Sequence, residues 1–212
     1  MDCDVSKCQT GDLILFHGCH SMISWMVEWF TGSQWSHVGI VLRSPTYIDE
    51  KLTGLYLWES GSEQDPDCED HVRKYGVQIT DLKKKINEYE GIVVWRRLHW
   101  DPKELETKLT IIHNTVHNKP YDLDLVDFIY AKLGIPCRPN RHKNGIWSWF
   151  RYNPRKVDKM MCSALVAYVY TELGLLPSDT HWTDIFPKYF SEEHRHLQLI
   201  DAHLGQERCL KR

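Results

Sequence analysis

Ser36-His37-Val38-Gly39-Ile40-Val41-Leu42 is a short apolar run that carries a single imidazole. Val38, Ile40 and Val41 are β-branched, and Thr31-Gly32-Ser33 punctuates the chain just upstream, so the run reads as a buried strand. A polar ring inside such a strand needs a hydrogen-bond partner or a task. Gly39 shares the face of His37, and a missing side chain there lets another backbone or a substrate approach closely.

Working outward, the same kind of signal recurs. Gly11-Asp12-Leu13-Ile14-Leu15-Phe16 reads as a strand after a turn, with Asp12 as a turn or cap residue rather than a catalytic acid. Leu55-Tyr56-Leu57-Trp58-Glu59 reads as another strand, stopped by Ser60-Gly61-Ser62 and followed by an acidic loop. Val77-Gln78-Ile79 reads as a short strand, Asp81 to Tyr89 as a short helix, and Ile92 to Leu98 as a strong strand. Met22, Ile23, Met26, Val27 and Phe30 recur at helical spacing over residues 20–30.

From Asp101 the period changes. Pro102 at a first-turn position and Leu105, Leu109, Ile112 and Val116 predict an amphipathic helix, and Leu123 to Leu133 carries another apolar face. Residues 134–159 are irregular, basic and aromatic. Met161 to Leu173 predicts a helix closed by Gly174 and followed by Pro177. Leu197-Gln198-Leu199-Ile200 is an edge-strand candidate ahead of a polar tail. Strands come mostly first and helices afterwards, which predicts an α+β fold rather than alternating βαβ units.

The chain has 212 residues, 42% of them hydrophobic and 12% aromatic, with a net charge of −3. That suits a single domain over 1–212, with a core at about 10–176, an insertion at 134–159 and an extension at 177–212. The charge gives no sign of a nucleic-acid binder, and no apolar run approaches the ~18 residues of a membrane-spanning helix. Met1-Asp2-Cys3-Asp4 opens acidic and polar, unlike a secretory leader, so a cytoplasmic or other reducing compartment is expected. The seven cysteines are then free thiols, and the question is which of them does chemistry.

A nucleophilic cysteine needs a favoured thiolate, a base, and a group that orients the base. Cys162 opens the predicted helix, where unpaired backbone N–H groups and the helix dipole favour negative charge. His37 supplies a base. Glu59 ends its strand, and if that strand pairs beside the His37 strand the carboxylate can fix the imidazole, the third role of a triad. Each also has a plain reading, as a buried small residue, a hydrogen-bonded histidine and an ordinary strand-end charge. His17, Cys19 and His20 cluster without further ligands nearby, and no metal or cofactor is assigned.

Five segments carry a resemblance: Gly11 to Phe16, Trp35-Ser36-His37-Val38-Gly39-Ile40-Val41, Trp58-Glu59-Ser60, Lys119-Pro120-Tyr121-Asp122 and Cys162-Ser163-Ala164-Leu165-Val166. Together they resemble the circularly permuted papain-like cysteine hydrolases of the NlpC-type superfamily. That group takes in YiiX-like proteins, their poxvirus relatives and, more distantly, lecithin–retinol acyltransferase. The match covers roughly residues 10–176. It implies an antiparallel sheet carrying His37 and Glu59, packed against a helix that opens with Cys162. Cys162 is then nucleophile, His37 base and Glu59 orienting acid, and all three positions are filled. Residues 134–159 depart from the pattern and leave the substrate open.

Trp25 and Trp29 share a helical face and, with Trp35, are candidate walls of an apolar pocket. Trp147, Trp149 and Arg151 lie in the basic loop, where aromatics mixed with cations suit an anionic amphiphile. The expected activity is thiol hydrolysis or acyl transfer at an amide, ester or thioester. The substrate is a peptide, another amide or an acyl lipid, the last with peripheral membrane contact. A lipid-directed phospholipase or transacylase is the alternative, and a non-catalytic binding module that keeps the fold is the alternative of another class.

Overall fold

The apolar runs pair with one another instead of forming separate hairpins. The computed structural model describes residues 4–18, 33–61, 65–121, 160–194 and 197–212. In it β1 spans Leu13–His17, β2 His37–Arg43, β3 Leu55–Gly61, β4 Gly76–Asp81, β5 Ile92–His99 and β6 His203–Lys211. They form one sheet in the order β4-β3-β2-β1-β5-β6, and all neighbours are antiparallel. Three α-helices stand among the described residues: α1 at Leu82–Glu88, α2 at Leu105–Val116 and α3 at Cys162–Glu172. The architecture is α+β.

The strands read as nearly continuous apolar runs because both faces of the sheet are covered. On one face Leu13, Leu15, Val38, Ile40, Trp58 and Ile79 pack with Leu109 and Ile112 of α2 and Leu165, Val166 and Val169 of α3. On the other, Ile14, Phe16, Val41, Leu57, Val93 and Trp95 pack with Leu82 and Ile86 of α1 and with Cys8. Trp58 and Trp95 are 0% and 1% exposed, one on each face. A buried side chain of this size contributes ~2–3 kcal/mol.

Local chemistry sets the helix ends. Asp81 leaves β4 extended and caps α1, its side chain accepting from the Lys84 N–H at 2.7 Å. Gly174 takes φ +81 just past α3, a left-handed turn that suits glycine. Asp12 is 1% exposed and accepts from the Gln9 N–H at 2.8 Å, the Trp95 indole at 2.7 Å and the Leu98 N–H at 2.9 Å. It closes its turn as expected and also clamps β1 to β5.

Three expectations need correction. The helix predicted from Asp101 starts at Leu105, because Glu104 has left-handed backbone (φ 56) and Pro102 lies ahead of the helix. Residues 197–200 form no strand. Ile200 N–H reaches Leu175 O at 2.9 Å, and Leu197 and Leu199 pack on the core. The C-terminal strand is instead β6, drawn from the stretch read as a polar tail, which pairs along β5. The helix expected at residues 20–30, the apolar face at 123–133 and the basic loop at 134–159 lie outside the described residues.

Among the described residues no disulfide forms, and no helix is long and apolar enough to cross a membrane.

Candidate active site

β2 begins with His37, and the β2–β3 pairing at Ile40–Trp58 continues toward Gly39 and Glu59. Glu59 therefore projects from the same face as His37, one strand over. Its carboxylate is 0% exposed, and its Oε2 lies 2.6 Å from His37 Nε2. The other oxygen, Oε1, accepts from Lys85 Nζ at 2.8 Å and from Thr80 Oγ1 at 3.1 Å. Lys85 comes from α1 and is 12% exposed.

These contacts fix the charges. Burial alone would raise the Glu59 carboxyl pKa. The Lys85 charge and the His37 bond outweigh it and hold the group well below the usual carboxylate range. Burial would lower Lys85, but Glu59 keeps it raised, so the pair is ammonium and carboxylate. For His37, burial again opposes charge. The Cys162 sulfur, by its charge and a hydrogen bond, and then Glu59 push the imidazole up to about 9. The ring is an imidazolium at neutral pH, with Nε2 fixed by Glu59 and Nδ1 left for the thiol.

Cys162 is the first residue of α3 and is 2% exposed. Its N-cap is Met161, whose side chain makes no cap hydrogen bond. The lead-in is braced on two sides. Met160 N–H bonds to Pro120 O at 3.0 Å, and Met160 O accepts from Ser60 Oγ at 2.6 Å. Residues 119–121 are themselves fastened to the start of β4, Val77 N–H reaching Lys119 O at 2.9 Å and Tyr121 N–H reaching Tyr75 O at 3.1 Å. Gly76 permits this approach, since a Cβ there would stand 2.2 Å from Lys119 O. The Lys119-Pro120-Tyr121 stretch thus sets where the thiol stands.

Sequence reasoning placed His37, Glu59 and Cys162 together, and the fold brings them together. It gave no site role to Lys85, Thr80 or Ser60. Lys85 sits in the run Lys83-Lys84-Lys85, which reads as a solvated helix face. Its helical phase with Leu82 and Ile86 was the available signal. Gly39 has a different reason from the one expected. A Cβ there would meet Leu57 Cδ1 at 2.7 Å, so the space is filled by Leu57 and is not open to substrate. Trp35 is 2% exposed and packed in the core, with its indole N–H unpaired. His17 lies 2.5 Å from Gln34 O through Nδ1. Trp25, Trp29, Trp147, Trp149 and Arg151, like Cys19 and His20, lie outside the described residues.

No protein-family model matches the chain, and no curated protein does. Among solved structures, the chain is similar to the metalloprotein YiiX of Escherichia coli O157:H7, at 20% identity and a TM-score of 0.48, over 96% of this chain and 97% of that one.

Proposed function

We propose that the chain is a cysteine hydrolase or acyltransferase acting through Cys162, His37 and Glu59. The observation that carries this reading is the imidazole of His37, held at 2.6 Å by a fully buried carboxylate and raised in pKa by the neighbouring Cys162 sulfur. The order of the three, with both sheet residues ahead of the nucleophile helix, supports the permuted papain-like arrangement.

The chemistry follows from the charges. The Cys162 thiolate adds to the carbonyl carbon of an amide, ester or thioester. Backbone N–H groups in the first turn of α3 stabilise the oxygen on which charge develops. His37 gives its proton to the leaving amine, alcohol or thiol as the carbon–heteroatom bond breaks, leaving a thioester on Cys162. Water or an acceptor, deprotonated by His37, then attacks the thioester and returns the thiol. Glu59 stays ionised throughout, orients the ring and stabilises the imidazolium, and Lys85 stabilises Glu59 in turn.

The test is a thiol-directed acylating probe followed by a panel of small amides, esters, thioesters and phospholipid vesicles. Cys162→Ala abolishes both labelling and turnover, whereas Cys3→Ala and Cys209→Ala keep them. Equal labelling of all three variants sinks the assignment and leaves a binding module. Turnover confined to vesicles selects the lipid substrate class, and turnover confined to amides selects the peptide class.

A further inference from the structure

A second cluster of ligating atoms stands apart from the thiol site and shares no residue with it. His113 and His117 are four residues apart on α2 and its C-cap, the spacing that puts two imidazoles on one helix face. Glu69, from the acidic loop between β3 and β4, reaches across to both. Its Oε2 lies 3.0 Å from His113 Nε2 and 3.2 Å from His117 Nδ1. One ligating atom from each of the three residues lies within 4.8 Å of the other two.

An ion pair explains this geometry poorly. Glu69 Oε2 is buried and has no hydrogen-bond donor of good geometry. A buried carboxylate oxygen without a donor is costly unless something positive sits beside it. His113 is 4% exposed, and imidazole is the commonest metal-ligating side chain. A tetrahedral ion with bonds of ~2.0–2.1 Å spaces its ligand atoms ~3.3–3.4 Å apart, close to the two separations here.

We propose that Glu69, His113 and His117 hold one divalent transition-metal ion of the zinc class. Two imidazoles and a carboxylate are the ligand set of open zinc centres, which keep at least one position for water or a ligand. Glu69 and His117 are 21% and 29% exposed, so that position faces an opening through which an ion can enter. The surroundings supply the outer partners. Asp67 Oδ1 accepts from the Glu69 N–H at 2.7 Å and fixes the loop backbone. Asn118 Nδ2 lies 2.7 Å from His117 Nε2. With Nδ1 on the metal the His117 proton stands on Nε2, and a flip of the Asn118 amide turns its oxygen to accept it. Lys74, which bonds Asn118 Oδ1, keeps Asp67 and Asp70 at 2.7 and 2.8 Å.

The experiment is a titration of the whole chain, freed of metal, with Zn²⁺ by calorimetry and with Co²⁺ by visible absorption. The wild type and Cys162→Ala each bind one equivalent, and the cobalt spectrum shows tetrahedral ligand-field bands without a thiolate-to-cobalt charge-transfer band. Glu69→Gln and His117→Gln each weaken binding at least ~100-fold, since loss of even an outer-shell partner costs ~10–100-fold. If one of the two variants fails to fold, the other decides. Unchanged affinity in a folded variant, loss of binding in Cys162→Ala, or a thiolate band overturns the proposal.

Discussion

Replacing Cys162 with alanine should change the titration of a residue 125 positions away in sequence, His37. The sulfur is the largest influence that raises the imidazole, from 6.5 to about 9 against the opposing effect of burial. That displacement corresponds to ~3 kcal/mol at ~1.4 kcal/mol per pH unit. The folded state keeps a proton that the unfolded chain releases above 6.5. The stabilisation is therefore complete below pH 6.5 and disappears as pH rises through about 9. In Cys162→Ala only Glu59 remains to hold the proton, so the His37 pKa falls toward its ordinary value. Alanine at a small buried position leaves the packing nearly intact, so the effect reads electrostatics. The assay is an NMR titration of the His37 ring in both proteins, with denaturant unfolding across the same pH range. An unchanged pKa near 9 in the variant would mean that Glu59 alone holds the proton and that thiol and imidazole are not a pair.

Lys85→Met leaves the Glu59 carboxylate with His37, Thr80 and Gln78, and should cost ~3 kcal/mol in denaturant unfolding at neutral pH, the scale of breaking a buried ion pair. Gly39→Ala drives a Cβ to 2.7 Å from Leu57 Cδ1 and 3.2 Å from Trp58 O, so it should cost ~1–3 kcal/mol. Adding Leu57→Ala relieves the first clash, and the double mutant should lose less than the sum of the single ones. Asp12→Ala strips an acceptor from Gln9, Trp95 and Leu98 at once and should lower stability by ~3 kcal/mol, with no change in probe labelling of the remaining folded protein.

β1, β2, β3 and β5 were legible because each is an apolar run between turn residues, and burial on both faces leaves such runs nearly unbroken. α3 was legible from its apolar length and from Gly174. β6 was not, since His203 to Lys211 mixes Gln206, Glu207, Arg208 and Lys211 with little apolar pattern. It is an edge strand with one partner, and charged side chains suit an edge that must not recruit another chain. His37, Glu59 and Cys162 stood out because each breaks the pattern around it: an imidazole in an apolar strand, a carboxylate after a tryptophan, a thiol at a helix start. Lys85 and Glu69 break no pattern. One is a lysine among lysines and the other an acid in an acidic loop, and only the fold gives them partners.

The order of the sheet also has a consequence for synthesis. β1 to β4 lie in the order β4-β3-β2-β1, so each strand pairs with its predecessor as it leaves the ribosome, and α1 follows with Lys85. Cys162 comes roughly 80 residues after Lys85, which at ~5–20 residues per second is ~4–16 s of translation. The Cys162 thiol therefore emerges after His37, Glu59 and Lys85. A nascent chain that stops before α3 carries those three residues without the thiol.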